Sequence, residues 1–140
     1  MKFMVLLGRI LFSLIFLMAS PGLFSKASIQ YAASQGVPWA SMAVPFSGAL
    51  ALFGSLSLVF GYKARLGACL LLLFLVPVIL MLHAFWHAKD ASTAQIQQIM
   101  FMKNVALAGG ALLVTYFGAG PLSVDAWLKS RGMPPADAQN

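Results

Sequence analysis

Few side chains in this 140-residue chain could do chemistry inside an apolar environment. Arg9 interrupts the first apolar run, His83 and His87 close the third, and Lys103 with Asn104 lies inside the fourth, IMFMKNVALAGGALLVTYFG. On a continuous helix, histidines four apart share a face and can chelate zinc or copper, yet such a site needs a third or fourth ligand. Asp90 is the only carboxylate nearby in sequence. Two histidines one turn apart on one helix cannot bind a haem iron from opposite sides, so the default reading is a pair of interfacial histidines without metal. No apolar run contains a carboxylate, because Asp90, Asp125 and Asp137 all fall in polar connections or the tail. The paired-carboxylate chemistry of proton pumps and glycosidases is therefore excluded. Arg9 and Lys103 are each read in two ways. Either they snorkel to the headgroups as topology anchors, or they face inward to meet carbonyls, water or a ligand.

These residues must be held by membrane helices. A run of about 20 apolar residues spans a hydrocarbon core of about 30 Å. Four runs qualify, at about 3–20, 40–62, 66–86 and 99–118. Lys2 and Ser25-Lys26-Ala27 give the first run some likeness to a secretory signal, but Arg9 within it favours a retained helix. Pro21 and Gly22 end it, and a loop or short surface helix containing Tyr31 follows. Ser47, Ala51 and Ser55 recur every four residues in segment two, a small-residue seam for close helix approach. Lys63-Ala64-Arg65 is so short that segments two and three are expected to be antiparallel neighbours. Pro77 is expected to kink segment three. A polar loop, 88–98, precedes segment four, where Lys103, Ala106, Leu107, Gly110 and Val114 share a face read as a second packing seam. An interfacial helix is expected at about 123–130, with Ser123 as N-cap and Asp125 in its first turn. Residues 133–140, with Pro134-Pro135, read as a disordered tail.

Composition agrees with this reading. The chain is 61% hydrophobic and 9% charged, where soluble domains carry about 25% charged residues. Its net charge of +6 is scattered at the ends of the apolar runs, so it reads as a topology signal rather than a nucleic-acid surface. The lone cysteine, Cys69, cannot form an internal disulfide, and its apolar setting reads as a buried thiol. Trp39, Trp86 and Trp127 suit the headgroup belts.

Short matches along the chain carry a family likeness. They are Leu7-Gly8-Arg9-Ile10-Leu11, Gly36-Val37-Pro38, Phe60-Gly61 with Arg65, His83, Phe101-Met102-Lys103-Asn104 with Gly109-Gly110, and Gly118-x-Gly120-x-x-Ser123-x-Asp125. Together they resemble the DoxX family of bacterial inner-membrane proteins. The resemblance implies a four-helix bundle linked to membrane redox complexes, with Arg9, His83, Lys103 and Asn104 as the site residues. Many members carry a Glu near the position of Ala51, so carboxylate-dependent activity is not expected here.

The expectation is an all-α integral membrane four-helix bundle in residues 1–132, multi-pass in the inner membrane, with both termini cytoplasmic. The expected role is a subunit or scaffold beside other membrane or periplasmic redox proteins, not catalytic alone. The alternatives are a lipid- or quinone-binding bundle and a metal-dependent enzyme at His83 and His87. No cofactor is evident beyond the quinone option, and a homo-oligomer is a further one. The basic residues Lys2, Lys63, Arg65, Lys129 and Arg131 set the orientation under the positive-inside rule. With Cys69 replaced by Ala, cysteines at Ser28 and Ser92 should react with an impermeant thiol reagent in intact spheroplasts. One at Ser130 should not, and the reverse pattern would invert the topology.

Overall fold

The computed structural model describes residues 1–132; the tail expectation for 133–140 lies outside the described residues. The fold is all-α, with four helical segments long and apolar enough to cross a membrane: Lys2–Phe24, Ala40–Phe60, Ala64–His87 and Ala91–Phe117. Helix α1 (Lys2–Ala19) runs into a 3-10 turn (Ser20–Phe24) at Pro21. A short helix α2 (Lys26–Ser34) follows, capped by the Ser25 hydroxyl, which accepts from the Ser28 amide at 3.2 Å. Helix α3 (Ala40–Phe60) starts after Trp39 and ends at Gly61, both left-handed at φ 49° and 65°. The hairpin to α4 (Ala64–Pro77) is closed by Lys63, also left-handed. Helix α5 (Ala91–Phe117) and the seven-residue α6 (Val124–Ser130) complete the described residues.

Two boundaries differ from the sequence reading. Segment three does not run unbroken to Trp86. Pro77 has no amide to donate, and after it the backbone loosens into a π-helical turn, Val78–Leu82. His83 then leaves helical geometry at φ −118°, and a 3-10 turn, Phe85–His87, follows. Segment four instead begins eight residues early, absorbing most of the expected loop 88–98. The Asp90 carboxylate accepts the Thr93 amide at 2.9 Å, and no Gly or Pro interrupts 91–99. The N-cap therefore starts the helix in polar sequence that hydropathy assigns to a loop.

Helix α3 packs between α1 and α4, and α5 packs on α4. The core joins Phe16, Ala51, Leu58, Leu71, Phe74 and Leu75 from three of these helices. On α3 the buried stripe is Val44, Gly48, Ala51, Gly54, Ser55 and Leu58. Ala51 and Ser55 thus lie on the seam, while Ser47 is half-buried at its edge. The α3–α4 crossing is closest at two glycines: a Cβ on Gly67 would stand 2.5 Å from Ser57 Cβ and 2.9 Å from the Gly54 carbonyl oxygen. With no hydrophobic effect to drive helices together in lipid, such close backbone contact is a main source of adhesion.

The expected α5 seam is rotated. Asn104 and Ala111 are buried, whereas Lys103 and Ala106 are exposed. Gly110 does meet a neighbour, because a Cβ there would stand 2.8 Å from the Phe12 ring, but Gly109 faces open space. Small residues occur all round α5 between 106 and 111, so spacing alone could not choose the packed face. Cys69 is exposed on α4 rather than buried, with Sγ 4.0 Å from Thr115 Oγ1.

These contacts separate two glycines of identical type. Gly67→Ala should destabilise the bundle by about 1–3 kcal/mol through overpacking. Gly109→Ala should leave thermal stability in detergent unchanged or slightly higher, since it fills open space and improves helix propensity. Equal effects would mean that the α3–α4 crossing is looser than described.

Candidate functional site

The bundle carries polar structure at both ends. At one end Arg9 is only 6% exposed. Its guanidinium donates to the Ala119 carbonyl, to Leu122 O at 2.8 Å and to Val59 O at 3.4 Å. These carbonyls are free because α5 stops at Gly118 (φ 77°) and α3 ends within two residues of Val59. Arg9 therefore faces inward to backbone carbonyls and does not snorkel to headgroups. Nε is buried without a partner among the described residues, and the Arg9 carbonyl accepts the Ser13 hydroxyl at 2.8 Å.

Asp125 completes the joint. Its two carboxylate oxygens accept the Lys63 amide at 2.9 Å and the Ala64 amide at 3.1 Å, and its own amide donates to Gly61 O at 2.9 Å. The sequence reading placed Asp125 in the first turn of α6. It does lie there, but its carboxylate caps the N-terminus of α4, a contact 61 residues away in sequence. Gly61 has no alternative: besides its positive φ, a Cβ would stand 2.5 Å from Ser123 Cβ and 3.0 Å from Arg9 Nη1. This end holds helix termini together.

The other end is different. The break in the third span turns His83 toward α5, where Nδ1 lies 2.8 Å from Gln97 Oε1. Gln97 Nε2 in turn donates weakly to the Tyr31 hydroxyl of α2 at 3.5 Å. In the neutral ring that donates from Nδ1 to this amide oxygen, Nε2 is an acceptor that no described residue uses. The Tyr31 hydroxyl keeps its hydrogen to donate. A slot of about 290 Å³ is walled by Val44, Leu50, Phe74, Pro77, Met81 and Leu82, and an adjoining cavity that shares Val44 and Leu82 with it has Tyr31 in its wall. A polar cavity of about 430 Å³ lies next to it, with Ser34, His87, Asp90, Thr93 and Gln97 in its wall. Leu82 belongs to both walls. The Thr93 backbone amide holds the Asp90 carboxyl below the usual carboxylate range.

The structure gathers the sequence candidates only in part. His83 and His87 are not on one helix face, because the helix ends between Leu82 and His83. Among the described residues no group of three or more His, Cys, Asp or Glu side chains could hold a metal ion. Lys103 is exposed, its ammonium 3.5 Å from Met100 Sδ on its own helix, and it shares no hydrogen bond with His83 among the described residues. Asn104 is 6% exposed, and its carboxamide has no hydrogen-bond partner among the described residues. Sequence reasoning missed Gln97 and Tyr31. Gln97 sat in a stretch read as loop, and only the extension of α5 places it opposite His83.

The Arg9 end generates a direct test. Asp125→Ala leaves two α4 amides unpaired and should lower stability by about 1–3 kcal/mol. Arg9→Gln strands three carbonyls and should be at least as damaging. Lys103→Gln, on the exposed side of α5, should be neutral in the same melting assay; a Lys103 effect matching that of Arg9 would contradict the placement.

Comparison with known proteins places the chain. The profile of the SURF4 family matches residues 1–130. The inner membrane protein YqjF of Escherichia coli (strain K12) is 31% identical over 129 residues, covering 91% of this chain and 93% of that protein. The inner membrane protein YphA of the same organism is 27% identical over 124 residues, 87% of this chain and 88% of that protein. The ER-derived vesicles protein ERV29 of Saccharomyces cerevisiae (strain ATCC 204508 / S288c) is 32% identical over 80 residues, 57% of this chain but only 26% of that protein. No solved structure matches the chain. These matches overturn the DoxX resemblance, which rested on short fragments, whereas the SURF4 profile covers residues 1–130. The redox association came only with that resemblance and loses its ground. With four membrane-crossing segments and inner-membrane relatives along nearly its whole length, the chain is a multi-pass inner-membrane protein and belongs to the SURF4 family.

Proposed function

We propose that the chain binds an amphiphile drawn from the bilayer, its tail in the apolar slot and its polar head against His83, Gln97 and Tyr31. The observation that carries this reading is the broken third span: it frees an acceptor on His83, next in sequence to Leu82 in the slot wall, and Tyr31 lines an adjoining cavity that shares Val44, Ser47, Val78 and Leu82 with the slot. π-Helical turns in longer helices frequently mark functional sites, and irregular backbone at membrane depth is tolerated where it lines a cavity. A quinone or quinol suits the donor–acceptor pair, since a carbonyl accepts from Tyr31 and a hydroxyl donates to His83 Nε2. The headgroup hydroxyls and ester carbonyls of phosphatidylglycerol offer the same chemistry, so the class is a lipid with neutral hydrogen-bonding head atoms.

Native mass spectrometry after purification in mild detergent, followed by solvent extraction, tests the proposal and separates the two sources. The wild type should retain a stoichiometric lipid, and the extract identifies it as quinone or phospholipid. Met81→Trp fills the slot and should abolish retention. His83→Ala should reduce it about fivefold, the loss of roughly 1 kcal/mol. Equal occupancy in all three proteins would refute the site.

A second reading, an interaction subunit, has its own observation. The α5 face with Lys103, Ala106, Gly109 and Leu113 is uncovered, and the name of the yeast relative places that protein on ER-derived vesicles. A protein co-purifying at fixed stoichiometry and lost in Gly109→Leu would favour it over the lipid site.

A further inference from the structure

The slot between α3 and the broken third span is one of two apolar lobes. The adjoining cavity, of about 310 Å³, has Leu23, Ala27, Ser28 and Tyr31 in its wall. It shares Ala32, Val44, Ser47, Val78 and Leu82 with the slot of about 290 Å³. The shared residues come from α2, α3 and the π turn, so the two lobes abut along a common wall. Leu82, the last residue of the π turn, also stands in the wall of the polar cavity of about 430 Å³. Three spaces therefore meet at one side chain, two apolar lobes of nearly equal size and one polar chamber. Lys89 and Asp90 both stand in the polar wall, so its formal charges balance, and the chamber selects a head by polarity and size rather than by net charge. The Tyr31 hydroxyl in the second lobe accepts from Gln97 and keeps its hydrogen to donate.

We infer that the ligand is a diacyl glycerophospholipid, seated over Leu82 with one chain in each apolar lobe and its head in the polar cavity. An ester carbonyl accepts from Tyr31, and the hydrated head occupies the space beside Gln97. A quinone has a single tail and a compact ring, so it leaves one lobe and most of the polar chamber unfilled. The inference rests on the amphiphile reading and narrows it, selecting the phospholipid over the quinone.

Competition read by native mass spectrometry in mild detergent tests it. The purified protein is exchanged with an equimolar mixture of phosphatidylglycerol, its single-chain lyso form and ubiquinone. Phosphatidylglycerol should occupy the wild type about tenfold more than either competitor, because a second chain adds dispersion contacts along a whole lobe. Ala27 is exposed and lines the second lobe alone of the two, so Ala27→Trp can plug that lobe without entering the core. It should lower the occupancy of phosphatidylglycerol about tenfold and leave the lyso form within about twofold, since a filled lobe excludes only the second chain. Thermal melting verifies the fold of the variant, and if it fails there, Ala27→Phe takes its place. Binding of the lyso form or ubiquinone at or above the level of phosphatidylglycerol in the wild type would leave the amphiphile reading standing and overturn the two-chain ligand. An undiminished phosphatidylglycerol occupancy in Ala27→Trp, or an equal loss of all three probes there, would also overturn it. Retention of none of the probes by the wild type would overturn the amphiphile reading itself.

Discussion

A buried arginine held by backbone carbonyls organises this bundle. Placing a charge in a membrane helix is costly unless its donors are met, and Arg9 meets Ala119, Leu122 and Val59. Those carbonyls exist only because α5 and α3 stop where they do. The same region requires Gly61 for lack of a Cβ and Asp125 to cap α4. One side chain thus ties the first helix to the ends of the second and fourth spans, and one carboxylate ties the third to the segment after the fourth. With this end fixed, the opposite end can depart from ideal helix geometry without loosening the whole.

The departure is concentrated in the third span. Pro77 removes one amide, the π turn spreads the strain over Val78–Leu82, and His83 leaves the helix. Freed carbonyls and amides at membrane depth need partners or a cavity. Here an apolar slot and a polar cavity share Leu82, Gln97 stands in the wall of the polar cavity, and His83, Gln97 and Tyr31 link three helical elements. Rigidity at the Arg9 end and irregularity at the His83 end are complementary: the first fixes the spans, and the second leaves hydrogen-bonding capacity unspent.

Much of the architecture was legible in the sequence, because hydropathy runs and Gly/Pro punctuation report membrane spans directly. Four spans, the tight α3–α4 hairpin, the Ser123 cap and the Ala51–Ser55 stripe all follow from local pattern. The start of α5 did not, since a capped polar helix and a polar loop have the same hydropathy. The packed face of α5 was hidden because small residues surround it. At the sites, Arg9, His83 and Asn104 stood out as polar residues in apolar runs, but the partners of Arg9 are carbonyls, which no sequence displays. Asp125 had a local explanation, a helix first turn, that concealed its long-range one. The fragmentary motifs misled about family because each covers only a few residues, whereas a profile over residues 1–130 weighs nearly the whole chain.

The central claim is that the interrupted third span builds a lipid-binding slot rather than a defect in a plain helix. A density map of the chain in a lipid nanodisc measures this directly. It should show the helix breaking at His83, the imidazole against Gln97, and elongated density between Val44, Phe74 and Met81 that ends beside Tyr31. An unbroken helix through Trp86, with side chains filling the slot and no lipid within it, would contradict the account.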